Sequence, residues 1–204
     1  MILLLAVLAG LLAGLARSRI RRQPYRPASL AHSWLAAIAM LPQGLAFFFA
    51  PTAKSIPDQA AAICLVVSQV GLLMFVVLNL RQPGMPILGL GLVLNLLVII
   101  ANGGWMPISP EIASHLHPDH PLATWETGIR LGWSKDILLA KSQMHLGWLS
   151  DCFLLPVWFP ARVAFSPGDI LIAVGAFSLL WQGTAGRKGP LQSSQNPSVA
   201  SRLG

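Results

Sequence analysis

Apolar residues in this chain come in long uncharged blocks, not in the short alternations of a half-buried strand. Met1 to Ala16 carries no charge before Arg17. A second block runs from Pro27 to Lys54, centred on Leu35 to Phe49, and a third from Gln59 to Leu80. The fourth spans Gly84 to about Gly103, nearly continuous from Leu92 to Ala101. The fifth, Ile170 to Trp181, is short, but no charge follows it before Arg187. A helix crosses the ~30 Å hydrocarbon core with roughly 20 apolar residues, range ~17–25. The pattern predicts an all-α integral membrane protein with about five transmembrane helices near 1–16, 30–50, 59–80, 84–102 and 169–183. These form one membrane domain, 1–183, and the Ser-, Gly-, Gln- and Pro-rich stretch 184–204 reads as a disordered cytoplasmic tail.

Charge sets the orientation. A secretory signal carries its positive residues before the apolar core, whereas here Arg17, Arg19, Arg21, Arg22 and Arg26 follow it. The first block therefore reads as an uncleaved helix entering N-out. Alternating from there places Arg17, Arg19, Arg21, Arg22, Arg26, Arg81, Arg187, Lys188 and Arg202 in the cytoplasm with no acid among them. Lys54, Arg130, Lys135, Lys141 and Arg162 lie outside with all seven acids. That is the positive-inside pattern of an N-out, C-in protein of a bacterial cytoplasmic membrane.

Composition agrees with this reading. Of 204 residues, 54% are hydrophobic and only 10% charged, against ~25% charged in soluble domains. The net charge of +7 would suggest nucleic acid in a soluble protein, but here topology accounts for it and no nucleic-acid partner is expected. Cys64 and Cys152 are too few for a disulfide scaffold.

The outer segment 103–168 is the one stretch large enough for chemistry outside the bilayer, and its length calls for short interfacial helices. Ser109-Pro110-Glu111 starts one such helix, and His117-Pro118 ends it. Ile137, Met144 and Trp148 share a face of a second, from Ser134 to about Leu149. Phe153 to Pro160 is apolar but broken by Pro156 and Pro160, a re-entrant or interfacial segment. Ser166-Pro167-Gly168-Asp169 is a capping-box-like start of the last helix, with Asp in place of the usual Glu.

His115-Leu116-His117-Pro118-Asp119-His120 spells H-x-H-x-D-H, the metal-ligand signature of the metallo-β-lactamase superfamily. The match covers six residues without the soluble sandwich that presents the remaining ligands, so His115, His117, Asp119 and His120 are weak metal candidates, zinc foremost. No cofactor is otherwise expected. Gln43, Gln69, Asn79 and Asn95 lie within spans, where interhelical hydrogen bonds of about 0.6–2 kcal/mol are their ordinary role. Gly10-x-x-x-Gly14 and Gly89-Leu90-Gly91 offer close helix packing.

Asn102-Gly103-Gly104-Trp105-Met106-Pro107, Leu149-Ser150-Asp151, Phe165-Ser166-Pro167-Gly168-Asp169 and Leu171-Ile172-Ala173-Val174-Gly175 occur in that order. Together they resemble a family of uncharacterised bacterial five-span membrane proteins catalogued as a domain of unknown function (DUF5317), over roughly residues 1–185. The resemblance implies architecture and no activity. Physically, Asn102-Gly103-Gly104 ends the fourth helix with residues that accept positive φ. Asn102, Trp105, Asp151 and Asp169 form a candidate outer pocket.

No Ser-His-Asp order, Walker loop or dinucleotide fingerprint occurs. Any enzyme would draw on Asp136, His145, Asp151 and Asp169. The first expectation is a non-enzymatic accessory or interaction protein of the bilayer, with a protein partner or a second copy of itself. The alternative is a small-molecule or ion binder or transporter using the outer pocket, with a metal-dependent membrane enzyme third.

Overall fold

The computed structural model describes residues 2–120 and 125–182. Each of the five apolar blocks forms a helix. α1 spans Ile2–Ile20, past the first arginines, and α2 spans Ser33–Gln43. Pro42 near its end lacks a donor, and the helix loosens there into a π-helical turn, Gly44–Phe48. A short α3, Ala50–Ser55, leads to α4, Asp58–Leu78, and a tight turn to α5, Met85–Ala101. α1 and α4 are long and apolar enough to cross a membrane, while Ser33–Phe48, α5 and the final helix α7, Pro167–Trp181, are shorter apolar helices. The stretch read as a cytoplasmic tail, 184–204, lies outside the described residues.

Side by side, the long helices follow the order α1, α7, α5, α4, α2. Their directions can be read from which residues meet. Gly10 faces Phe177 and Gly14 faces Leu180, so α1 and α7 run parallel. Gly84 meets Gly175 and Gly91 meets Gly168, so α5 is antiparallel to α7. Val76, Met85 and Leu92 share one core cluster, and Leu65, Val98 and Ile99 another, so α4 opposes α5. Ala39 against Gly71, with Gln43 N donating to Ser68 Oγ at 3.1 Å, sets α2 opposite to α4. Tyr25 Oη donates to Leu180 O at 3.0 Å, and the Arg17 guanidinium lies 5.5 Å from the Trp181 ring centroid. These contacts gather the ends of α1 and α7 with the arginines, at the opposite end of the bundle from the acids.

Helix contacts are made by small residues. A methyl group at Gly10 would come within 2.9 Å of Phe177 Cα, so the Gly10-x-x-x-Gly14 face packs against α7 backbone, as its spacing suggested. Buried asparagines add fixed links. Asn79 Nδ2 donates to Ala31 O and Phe75 O, both at 2.9 Å, while its Oδ1 accepts from Ala31 N at 2.7 Å.

The outer segment corrects the all-helical expectation. α6, Pro110–Leu116, starts at Ser109, whose Oγ accepts from Ile112 N. The second helix expected from Ser134 to Leu149 does not form. Asp136–Leu138 is instead strand β2, paired in parallel with β1, Met106–Ile108, and Gly147–Leu149 is a single 3₁₀ turn. Pairing buries Ile108 and Leu138 completely, which the amphipathic spacing of an isolated helix could not do. β3, Phe153–Leu154, pairs antiparallel with β4, Ala164–Phe165, and the proline-broken stretch between them forms an exposed tip bearing Val157 and Trp158.

Candidate functional site

The outer end is organised by the start of α7. Ser166 Oγ accepts from Asp169 N at 3.0 Å, and Asp169 Oδ2 accepts from Ser166 N at 3.2 Å, closing the capping box. Asn95, buried in α5, completes the unit. Its Nδ2 donates to Asp169 Oδ1 at 2.9 Å, and its Oδ1 accepts from Ser166 Oγ at 2.9 Å. Gly168 is required for this approach, since a methyl group there would lie 2.0 Å from Asn95 Oδ1. Replacing Ser166 with Ala is expected to lower stability by about 1–2 kcal/mol through loss of the cap, with a further cost from Asn95 Oδ1 losing its donor. Thermal unfolding in mild detergent measures this, and an unchanged Tm contradicts the assignment.

Beside that unit lies a charged cluster. Lys135, at the entry to β2, contacts Asp136 Oδ1 at 3.2 Å and Asp151 Oδ2 at 2.5 Å. Burial disfavours the charged lysine, but Asp136, Asp151 and Asp169 outweigh it and raise the Lys135 pKa. Asp151 is 3% exposed. Burial pushes its carboxyl up to about 7; Lys135 opposes that rise, and Asp136 and Asp169 reinforce it. Its second oxygen, Oδ1, is buried with no hydrogen-bond partner.

Asp151 lines a cavity of about 400 Å³, with Ser150 and Cys152 on one side. Ser109, Glu111 and Ile112 of α6 form another wall, and Lys141 and Met144 lie across from it. Ser150 Oγ donates to Gly147 O at 2.6 Å. The Lys141 ammonium is 3.6 Å from Glu111. A hydrogen bond with Ser109, the Glu111 amide and Lys141 together hold the Glu111 carboxyl below its usual range. Burial raises the Cys152 thiol, which leaves it a poor nucleophile.

Of the four residues expected in an outer pocket, the fold brings Asp151 and Asp169 together around Lys135 and sends the other two elsewhere. Asn102 Nδ2 donates to Val98 O and His145 O at 2.8 Å, and its Oδ1 accepts from His145 N at 3.0 Å, which ties the outer segment to the end of α5. Trp105 is buried beneath Arg130 and lines a separate, mostly apolar space of about 570 Å³ with Gln59, Ala62, Ile63 and Val66. The histidine candidates sit on the surface. His115 Nδ1 lies 2.7 Å from Glu111 O, while His117 and His120 lean on Trp125 with ring centroids 6.0 and 5.5 Å away. Asp119 is exposed. Among the described residues no three His, Cys, Asp or Glu side chains are grouped to hold a metal ion.

Two residues escaped the sequence reading. Lys135 holds the cluster together, and its adjacency to Asp136 was the only local hint. Arg130 is sandwiched between Phe47 and Trp105, 5.1 and 5.2 Å from their ring centroids. It donates to Ser134 O and Trp133 O at 2.9 Å and lies 3.6 Å from Asp58. It thereby clamps the outer segment to the π-helical turn after α2, the start of α4 and the chain just beyond α5.

A family model described as a family of unknown function, DUF5317, matches residues 27–181, from ahead of α2 to the last residue of α7. No curated protein and no solved structure matches the chain.

Proposed function

Because the chain belongs to the DUF5317 family, whose function is unknown, we propose from its own geometry that it is a five-span protein of the bacterial cytoplasmic membrane that binds a small polar ligand at its outer face. The observation that carries the binding reading is a cavity of about 400 Å³ in the outer segment whose wall includes Asp151, a buried carboxylate paired to Lys135 through Oδ2. This geometry favours a binder over a purely accessory protein.

Several features support the membrane assignment. Leu4, Leu12, Ile63, Met74, Leu90, Ile100 and Val174, on four different helices, are between 45% and 66% exposed. Large apolar side chains outside and glycines at the contacts are the arrangement expected where lipid is the solvent. The alternating directions of α2, α4, α5 and α7, with α1 parallel to α7, fit five successive crossings that start N-out. α5 and α7 would be only about 25 and 22 Å long at 1.5 Å per residue, a shortfall accommodated by local thinning of the bilayer. Exposed Trp148, Trp158 and Val157 on the outer segment suit the headgroup region.

Cysteine labelling in whole cells tests the orientation, in a background with Cys64 and Cys152 changed to Ser. Val157→Cys is expected to react with an impermeant maleimide from outside, and Arg22→Cys only after permeabilisation. External labelling at Arg22 would overturn the topology.

A further inference from the structure

We propose that the chain between α1 and α2 is a strap whose guanidinium groups seat the phosphates of anionic phospholipids at the basic end of the bundle. This is independent of the outer cavity and rests on the five-span placement alone. The course of the strap follows from the packing order. α1 and α2 lie at opposite edges of the row α1, α7, α5, α4, α2, so residues 21–32 run across the ends of the helices between them. They are pinned on the way, Tyr25 to Leu180 O at the end of α7 and Ser29 O to Gln82 Nε2 at 2.9 Å. Ala31 is held by Asn79 at the turn between α4 and α5, and Leu30 packs against the cluster of Val76 and Met85.

Charge gives the sign of the partner. This end carries Arg17, Arg19, Arg21, Arg22, Arg26 and Arg81, all exposed except Arg17, which is half-buried against Trp181. The seven acids lie at the other end, and among the described residues no carboxylate pairs with these arginines. Their counter-charge therefore comes from outside the chain. Orientation in the membrane asks only for positive charge, which lysine supplies as well. Every basic residue described at this end is arginine, whose planar fork binds a phosphate through two parallel N–H···O bonds. Arg22 even holds a position that glycine usually fills. It ends α1 at φ 52°, with Arg22 N donating to Arg19 O and Gln23 N to Ser18 O.

Neighbouring side chains select lipid over a soluble polyanion such as nucleic acid. Ile20, between Arg19 and Arg21, is 82% exposed, and Leu80, beside Arg81, is exposed too. Trp34, at the start of α2, is also exposed. Apolar and aromatic side chains set among arginines fit the level where acyl chains meet headgroups. At that depth the phosphate within reach of a guanidinium belongs to lipid, and a negative leaflet attracts each arginine near its surface.

The test uses the full chain in an uncharged detergent, titrated with phosphatidylglycerol or with phosphatidylcholine of the same acyl chains. Native mass spectrometry counts bound lipid, and thermal unfolding reads its effect on the fold. Phosphatidylglycerol is expected to bind roughly tenfold tighter and to raise Tm further. The triple variant Arg21→Gln, Arg22→Gln, Arg26→Gln should lose this preference. The triple variant Arg21→Lys, Arg22→Lys, Arg26→Lys keeps the charge that orients the helices and should bind phosphatidylglycerol severalfold more weakly than the parent. Arg22→Gly relieves the backbone, so its lipid-free Tm should equal or exceed the parent's while its affinity for phosphatidylglycerol falls. Equal binding of the two lipids, or a preference that survives the glutamine changes, overturns the proposal. Equal affinity of the parent and the lysine variant overturns the guanidinium assignment. Tighter binding of a single-stranded oligonucleotide than of phosphatidylglycerol gives this face to a soluble polyanion instead. External labelling of Arg22→Cys sinks the five-span placement, whereas internal labelling without a lipid preference sinks the strap alone.

Discussion

Gly84→Ala is expected to prevent the chain from accumulating as a folded protein. Gly84 holds φ +82° at the turn into α5, and a methyl group there would lie 2.2 Å from Gly175 O and 2.9 Å from Leu179 N in α7. The backbone conformation costs a non-glycine residue about 1–3 kcal/mol. The overlap adds about 1–3 kcal/mol more, because backbone on the far side cannot rotate away. Against a total stability of ~5–15 kcal/mol this is a large fraction. The opposing surface is equally tight, since a methyl at Gly175 would come 2.6 Å from Leu88 N. Gly44→Ala is the control, because nothing lies within 4 Å of its added carbon; its yield and Tm should match the parent protein. Monodisperse yield in detergent and Tm decide the matter, and a Gly84→Ala protein as stable as its parent would mean that α5 and α7 do not cross this closely.

The second large effect is a pH dependence that one substitution removes. The Asp151 carboxyl titrates near 3.8 in an ordinary environment and about 7 in the fold. The folded protein therefore holds this proton more tightly than the unfolded chain. This group's contribution to stability is greatest below about pH 4, falls as pH rises towards about 7, and is level above that. Lys135 runs the other way: its raised pKa contributes stability that is complete below 10.5 and lost only as pH climbs beyond it, so it leaves the acidic window to Asp151. Asp151→Asn should flatten this part of the profile and raise Tm at about pH 8 above that of the parent. Lys135 keeps Asp136 and Asp169, and its side chain, about a third exposed (36%), reaches solvent. If Asp151→Asn melts earlier than the parent at every pH, Asp151 serves the fold and not a ligand.

Much of the helical frame could be read directly from the chain. Uncharged blocks place α1, α4 and α5 within a few residues because nothing but a helix satisfies so many consecutive apolar backbones. Ser109-Pro110 and Ser166-Pro167 give the starts of α6 and α7 because capping is a local interaction. Asn102-Gly103-Gly104 marks the end of α5, where Gly103 and Gly104 take φ of +72° and +93°. The cluster at the outer end was only half legible. Asp136, Asp151 and Asp169 stood out as acids of the outer segment, yet Lys135 was hidden within an apparent amphipathic helix. What decided its conformation was the pairing of β2 with β1, a contact across some thirty residues that carries no local signature. Arg130 was invisible for the same reason, since Phe47, Asp58 and Trp105 come from three distant stretches. Asn95 read as an ordinary intramembrane amide because its partners, Ser166 and Asp169, lie more than seventy residues away.

The seating of α1 on α7 has a consequence for the order of assembly. α1 is made well before α7, and the residue that accepts the Tyr25 hydroxyl lies 155 positions further along. Until α7 emerges, the glycine face of α1 lacks the backbone it packs against in the fold. Synthesis and docking of α1 are thus separated in time, and the matched family segment, residues 27–181, is made before α1 can dock fully. Docking of α1 therefore closes the bundle late: a chain that stops short of Leu180 lacks part of the surface that seats Gly10 and Gly14.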